Sequence, residues 1–245
     1  MKRLATILSG LFIYASLATA QPPAKMLDLS LWRLTLPVDT ARRGQPDEIS
    51  QPELDSFVHP NYFFVNESAT GVVFRAHCGG YTTKSSKYPR CELREMSTPK
   101  TRAAWGTDDG TTHTMTMRVS VTRTPSVKKH VVCAQIHDAD DDVIMIRLEG
   151  TKLLIERAST SDVLLEPNYK LGTPFALKIQ ADRGHIKVWH NGVLKLNWKV
   201  SYTGCYFKAG CYTQSNPSKG DAADAFGEVI IYQLQVEHQK QVQRK

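Results

Sequence analysis

The sequence predicts an all-β sandwich, jelly roll or barrel folded as one domain, and three observations carry this. Short runs with period-two alternation recur along the chain, turn signals fall every several residues, and no helical period is sustained. The cleanest alternation is His113 to Thr122, where Met115, Met117, Val119 and Val121 share one face. A length of 245 residues allows one sizeable core, and 41% hydrophobic with 22% charged residues argues against disorder. No internal repeat and no linker divides the chain.

Residues 1–20 read as a secretory signal peptide. Met1-Lys2-Arg3 is a basic start, Leu4 to Ile13 a short apolar run, and Ala18-Thr19-Ala20 a small-residue cleavage site. The folded domain is expected over 21–237, with a polar tail over 238–245. Ser9, Gly10 and Ser16 break the apolar run, so a membrane anchor is the weaker reading. A secreted, monomeric protein is expected.

After a Pro-containing lead, Leu31 to Leu36 alternates and stops at Pro37. Residues 38–56 read as a loop with one helical turn near Glu53. Tyr62 to Val65 and Val72 to Ala76 read as strands, and the Asn66-Glu67-Ser68 sequon between them marks Asn66 as a candidate glycosylation site. Residues 78–88 are rich in Gly, Ser, Thr and Lys and predict a mobile loop. Strands follow over 90–96, 113–122, 129–137, 143–148, 152–157 and 162–165. Phe175 to Ala181 and His185 to His190 flank a turn, and Asn191-Gly192 signals a hairpin before Val193 to Lys199. Residues 206–214 and 226–236 complete the set.

Five cysteines in an oxidising compartment suggest disulfides with one thiol left over. Cys78 and Cys91 bracket the 78–88 loop and are the candidate bridge. Cys205 and Cys211 share a strand face with Cα atoms about 20 Å apart if the strand is continuous, too far to join. Their pairing, and that of Cys133, stays open.

Three strands carry unusual faces. In 206–214, Tyr206, Lys208, Gly210, Tyr212 and Gln214 lie on one side, and Cys205, Phe207, Ala209, Cys211 and Thr213 on the other. Two phenols around a lysine suit a floor for an anionic ligand; a half-buried amphipathic strand would show the same alternation. Arg90, Glu92 and Arg94 share a face opposite Cys91 and Leu93. Gln135 and His137 share a face opposite Ile136. Any one of these is ordinarily a solvated face; all three on one sheet would make a cleft.

In this order, Arg90-Cys91-Glu92-Leu93-Arg94, Gln135-Ile136-His137 and Tyr206 to Gln214 resemble the three signature regions of the alginate lyases of polysaccharide lyase family 7. Trp32 to Pro37 is similar to that family's N-terminal strand. The resemblance implies a β-jelly roll, a lectin-like sandwich with a concave cleft, that binds a uronic-acid polymer and cleaves it by β-elimination. It implies that Arg90 and Gln135 neutralise the substrate carboxylate, that His137 is the base, and that Tyr212 is the acid, serving as both on mannuronate. Cations such as Arg90 or Lys208 would lower the Tyr212 pKa for that double role. Arg94, Lys208 and Gln214 would hold substrate along the polymer, Tyr206 would be a platform, and Glu92 would orient the two arginines. Ile136 is associated in the family with cleavage involving guluronate.

No cofactor and no metal are expected. The Asp138 to Asp142 turn lacks the ligand spacing of a calcium loop. Formal charge is +7; removing Lys2 and Arg3 leaves 29 basic against 24 acidic residues, about +5, which suits capture of an anionic polysaccharide such as alginate. Secretion argues against nucleic acid, and no membrane partner is expected. A non-catalytic binding module is one rival. A glycoside hydrolase is another, but Glu149 and Glu156 flank a turn without the facing pair it needs.

Overall fold

The computed structural model describes residues 21–40, 44–158 and 160–241. The signal-peptide reading of 1–20 and the end of the expected tail, 242–245, lie outside the described residues. The described residues form sixteen strands: β1 Trp32–Thr35, β2 Glu48–Ile49, β3 Phe63–Val65, β4 Val72–His77, β5 Arg90–Thr98, β6 Thr101–Arg102, β7 Thr111–Arg123 and β8 His130–His137; then β9 Asp142–Glu149, β10 Lys152–Arg157, β11 Thr160–Glu166, β12 Phe175–Asp182, β13 His185–His190, β14 Val193–Lys199, β15 Tyr206–Tyr212 and β16 Phe226–Lys240. One 3₁₀ turn, Glu53–Asp55, falls where the sequence placed it.

The strands build two antiparallel sheets. One runs β11-β10-β9-β8-β15-β5-β1-β2, with β6 paired to β5; the other runs β14-β13-β12-β7-β16-β4-β3. Alternation dictates this layering, since each strand gives one face to a shared apolar core. Leu93, Ile136, Phe207 and Ala209 come from the first sheet; Phe74, Met115, Val119, Ile179 and Val229 come from the second. All of these are fully buried.

Two expectations are corrected. The last strand continues to Lys240, past its expected end at Val236, because β16 pairs with β7 as far as Lys240↔Thr111. A polar staple secures this end. Buried Glu95 accepts from Trp105 Nε1 at 3.0 Å, the Phe207 amide at 2.8 Å and His238 Nε2 at 2.7 Å. His238 in turn meets His113 at 2.6 Å, and His113 faces Asp109 at 3.1 Å. So a carboxylate of the first sheet is tied to two histidines of the second.

The second correction concerns the Cys78–Cys91 disulfide. All five cysteines are free and buried. Cys78 follows β4 in one sheet, beside Ser215 and Asp221. Cys91 is central in β5 of the other, where its thiol donates to the Tyr62 carbonyl at 3.2 Å and sits opposite Cys211. The 78–88 loop is held without a bridge, by Tyr81 N–H to the Pro37 carbonyl at 2.9 Å and Asn216 Nδ2 to the Lys87 carbonyl at 2.9 Å. Asn66 lies in the expected turn, and its amide oxygen accepts from the Thr70 and Gly71 amides at 2.9 and 3.1 Å.

Candidate active site

The three strands singled out in the sequence are neighbours, with β15 between β8 and β5. Register sets the constellation. Tyr206 lies opposite His137, Lys208 opposite Gln135 on one side and Arg94 on the other, Gly210 opposite Glu92, and Tyr212 opposite Arg90. β1 extends the same face, with Arg33 opposite Arg94 and Thr35 opposite Glu92. The cysteines and Phe207 point the other way into the core.

Glu92 is the hub. It is 1% exposed. One carboxylate oxygen faces Arg90 at 3.1 Å and Lys208 at 2.5 Å, and the other accepts from the Gln135 amide. To reach Gln135 on β8, this side chain spans β15, whose Gly210 lies opposite Glu92. Gly210 sits at φ 144°, in a bulge where the register against β8 shifts between Ala209 and Tyr212 while the pairing with β5 runs on unbroken. Burial pushes the Glu92 carboxyl up, but Lys208, Arg90 and the Gln135 hydrogen bond outweigh it and hold the pKa below the usual value. Glu92 therefore orients Arg90, Lys208 and Gln135; Arg94, which the sequence paired with Arg90 in this role, goes elsewhere.

Arg94 stacks its guanidinium 3.7 Å from the Tyr206 ring centroid. The same ring stacks on His137 at 5.2 Å and 21°. Tyr206 is 4% exposed and thus a spacer that positions a cation and a histidine, not a bare platform. Arg90 similarly lies 4.0 Å from the Tyr212 ring centroid.

His137 Nδ1 lies 2.8 Å from the Asp138 carbonyl. A carbonyl only accepts, so Nδ1 carries the hydrogen and the neutral ring keeps its lone pair on Nε2. Burial pushes the His137 pKa down, and Lys208 and Arg90 add to this against the Asp138 bond. This is the form a proton acceptor needs. The Asp138 carboxylate caps its own turn, taking the Asp140 and Asp141 amides at 2.8 Å each.

Tyr212 is in the complementary state. Ser86 donates to the Tyr88 carbonyl at 3.0 Å, so the 3.1 Å contact between the Ser86 and Tyr212 hydroxyls runs from Tyr212 to Ser86. Burial raises the Tyr212 pKa, and the charge of Arg90 offsets this only in part. The expected net lowering by neighbouring cations is thereby corrected: desolvation wins, and the phenol keeps its proton. Ser86 had no signal in the sequence, being one of several serines in a loop.

Gln214 stands just past β15 at φ 45°, with its amide 3.4 Å from Arg147 and 3.5 Å from the Met145 sulfur. Arg147 is the other residue missed. It binds Glu149 at 2.6 Å and also Glu156. These two carboxylates neutralise an arginine and do not face one another across a cleft, which removes the hydrolase pair. Nε atoms of Arg33, Arg90, Arg94 and Arg147 are buried without a hydrogen-bond partner among the described residues. Buried donors left unpaired are costly, so a row of them along one sheet face is a surface built for anions.

A jelly-roll sheet bearing cationic forks, a neutral histidine and a protonated tyrosine defines a polysaccharide lyase. The sequence profile described as alginate lyase matches residues 27–238. Among solved structures, an alginate lyase of polysaccharide lyase family 7, AlgAT5, is 54% identical, with 89% of this chain and 99% of that chain aligned at a TM-score of 0.85. An alginate lyase from Corynebacterium sp. is 45% identical over the same shares, at 0.84. An alginate lyase from Klebsiella pneumoniae is 38% identical over 87 residues, 35% of this chain and 28% of that protein's length. The chain belongs to the alginate lyases of polysaccharide lyase family 7.

Proposed function

We propose that this protein is a secreted, monomeric, endo-acting lyase that cleaves alginate by β-elimination at guluronate-containing blocks. The observation that carries the reaction is the Glu92 hub, which holds Arg90, Lys208 and Gln135 on one face beside His137 and Tyr212. Arg90 and Gln135 take the uronate carboxylate, lowering the cost of charge that builds there as an enediolate. His137 Nε2 removes the C5 proton. The electron pair left at C5 closes a C4=C5 double bond, the C4–O bond breaks, and Tyr212 gives its phenolic proton to the leaving oxygen. The resting state is restored when Tyr212 regains a proton and His137 loses one. Arg94, Lys208 and Gln214 hold carboxylates and hydroxyls along the polymer.

The guluronate preference is supported by the protonation states. A route with Tyr212 as both base and acid must first ionise a phenol that burial keeps protonated. A route with His137 as base starts from the neutral ring already present. A related alginate lyase, A1-II′, 27% identical with a TM-score of 0.79 over 92% of this chain and all of that one, was solved with a substrate, GGMG, in a variant with one histidine and one tyrosine replaced. That pair is consistent with His137 as the base and Tyr212 as the acid.

The test follows ultraviolet absorbance of the unsaturated uronate on guluronate-rich and mannuronate-rich alginate. A rise that is faster on the former is expected, with product sizes that shorten progressively as endo cleavage requires. No rise on either material sinks the lyase reading. Reducing ends without absorbance would mean hydrolysis, and binding without either would mean a non-catalytic module. Secretion predicts a mature N-terminus at Gln21, read by sequencing exported protein.

A further inference from the structure

The second sheet carries a built surface that the reaction does not use. A trough of about 790 Å³ lies along β12, β7 and β16. Register lays out its rows. Trp189, Lys178, Thr116 and Gln235 run side by side across four strands, and the next row is Ala176, Arg118 and Gln233. The face alternates correctly: Leu177, Met117 and Leu234 between these residues point into the core. Two cations and no carboxylate line the trough. Arg118 and Lys178 make no ion pair among the described residues, and Lys178 Nζ sits 4.8 Å from the Trp189 ring centroid. Carboxylates elsewhere on this face have partners, and Glu237 borders the trough. Asp182 faces Lys187 at 3.7 Å, and Glu237 takes the amides of Gln235 and Gln239 at 2.6 and 3.0 Å.

An ordinary outer sheet face mixes both signs of charge and avoids a half-buried tryptophan. Here an indole, two unpaired cations and a row of amides and hydroxyls share one groove of ligand size. An indole face suits the C–H side of a pyranose ring, the cations suit carboxylates, and amides suit hydroxyls. We propose that this trough is a second, non-catalytic binding site for a segment of acidic, uronate-containing polysaccharide. It rests on the reading of alginate as the substrate but not on any step of the reaction. Lying on the sheet opposite the active site, it would hold a second polymer chain, or a distant part of the same one. That would keep the enzyme on a gel between cleavages and raise its effective concentration there.

The test uses the full protein with Tyr212→Phe, which stops turnover, titrated calorimetrically with a guluronate octasaccharide. Two sites per chain are expected. Adding Arg118→Glu and Lys178→Glu should remove one site and leave the other unchanged, and Trp189→Ala should weaken the same site about tenfold. Arg118 is exposed, so its reversal leaves the fold intact, as an unchanged melting curve would verify. In the active background the charge-reversed protein should cleave a tetrasaccharide at the parent rate and be retained less by calcium alginate beads. One site in the Tyr212→Phe parent, or two retained after charge reversal, overturns the proposal. Two sites with no turnover by the wild-type chain would overturn the lyase reading and leave this one standing.

Discussion

Tyr212 donates its hydroxyl hydrogen to Ser86 in the resting protein, which makes it a proton source before substrate arrives. Tyr212→Phe should therefore lower kcat by about 10²–10⁴ with little change in binding, measured by absorbance and titration; persistence of activity would exclude it as the acid. The pH profile follows from two neighbours. His137 must be neutral to act, and burial holds its pKa below the ordinary histidine value, so the acid limb of activity should lie below the ordinary histidine range. Lys208 must be charged to hold carboxylates, and burial with Arg90 brings it down to about 8 despite Glu92. As pH climbs through that value the cation is lost. KM should rise on the alkaline limb, while the acid limb appears in kcat. An alkaline limb that survives Lys208→Met would assign it to another group.

At the scale of elements, β15 works because of one glycine. A Cβ at Gly210 would lie 2.5 Å from the Cys91 carbonyl oxygen and 2.8 Å from Glu92 Cα, both backbone atoms that cannot swing aside. At φ 144° an L-residue is also strained. Gly210→Ala should cost about 2 kcal/mol or more in denaturant unfolding. It should also reduce activity in the fraction that folds, because it pushes β5 and with it Glu92. The 78–88 loop is a second element whose stability has a specific source. A Cys78–Cys91 bridge would be worth ~3 kcal/mol. With both thiols free and facing different partners, reductant should leave the melting temperature unchanged; a fall on reduction would restore the bridge.

The whole molecule is a sandwich with cations on both outer faces, on a chain of formal charge +7, about +5 without residues 1–20. Charge on that scale captures a polyanion through interactions that salt screens over about 10 Å at 0.1 M. KM for polymeric alginate should rise as sodium chloride goes from about 0.05 to 0.5 M. The buried contacts of Glu92 are shielded from added salt, so kcat should change much less. Equal sensitivity of both parameters would mean that salt acts on the active site itself.

The β architecture was legible because period-two alternation is local: a residue's face follows from its neighbours, as in Met115 to Val121. The same rule separated Tyr206, Lys208 and Tyr212 from Phe207 and Cys211, and the resemblance of these stretches to the family's signature regions supplied the roles. What alternation cannot carry is which strand lies beside which. Only the placement of β15 between β8 and β5 set Lys208 and Gln135 within reach of Glu92 and made that carboxylate their hub instead of a partner for two arginines. Ser86 and Arg147 were invisible for the same reason, since their roles arise from contacts across 126 and 67 residues of chain. Protonation was likewise a tertiary decision. The sequence by itself determined which side chains face outward and what charges they bring. The depth at which folding buries them decided that Tyr212 keeps its proton and His137 does without one, because desolvation is a property of the packed molecule and not of the residue.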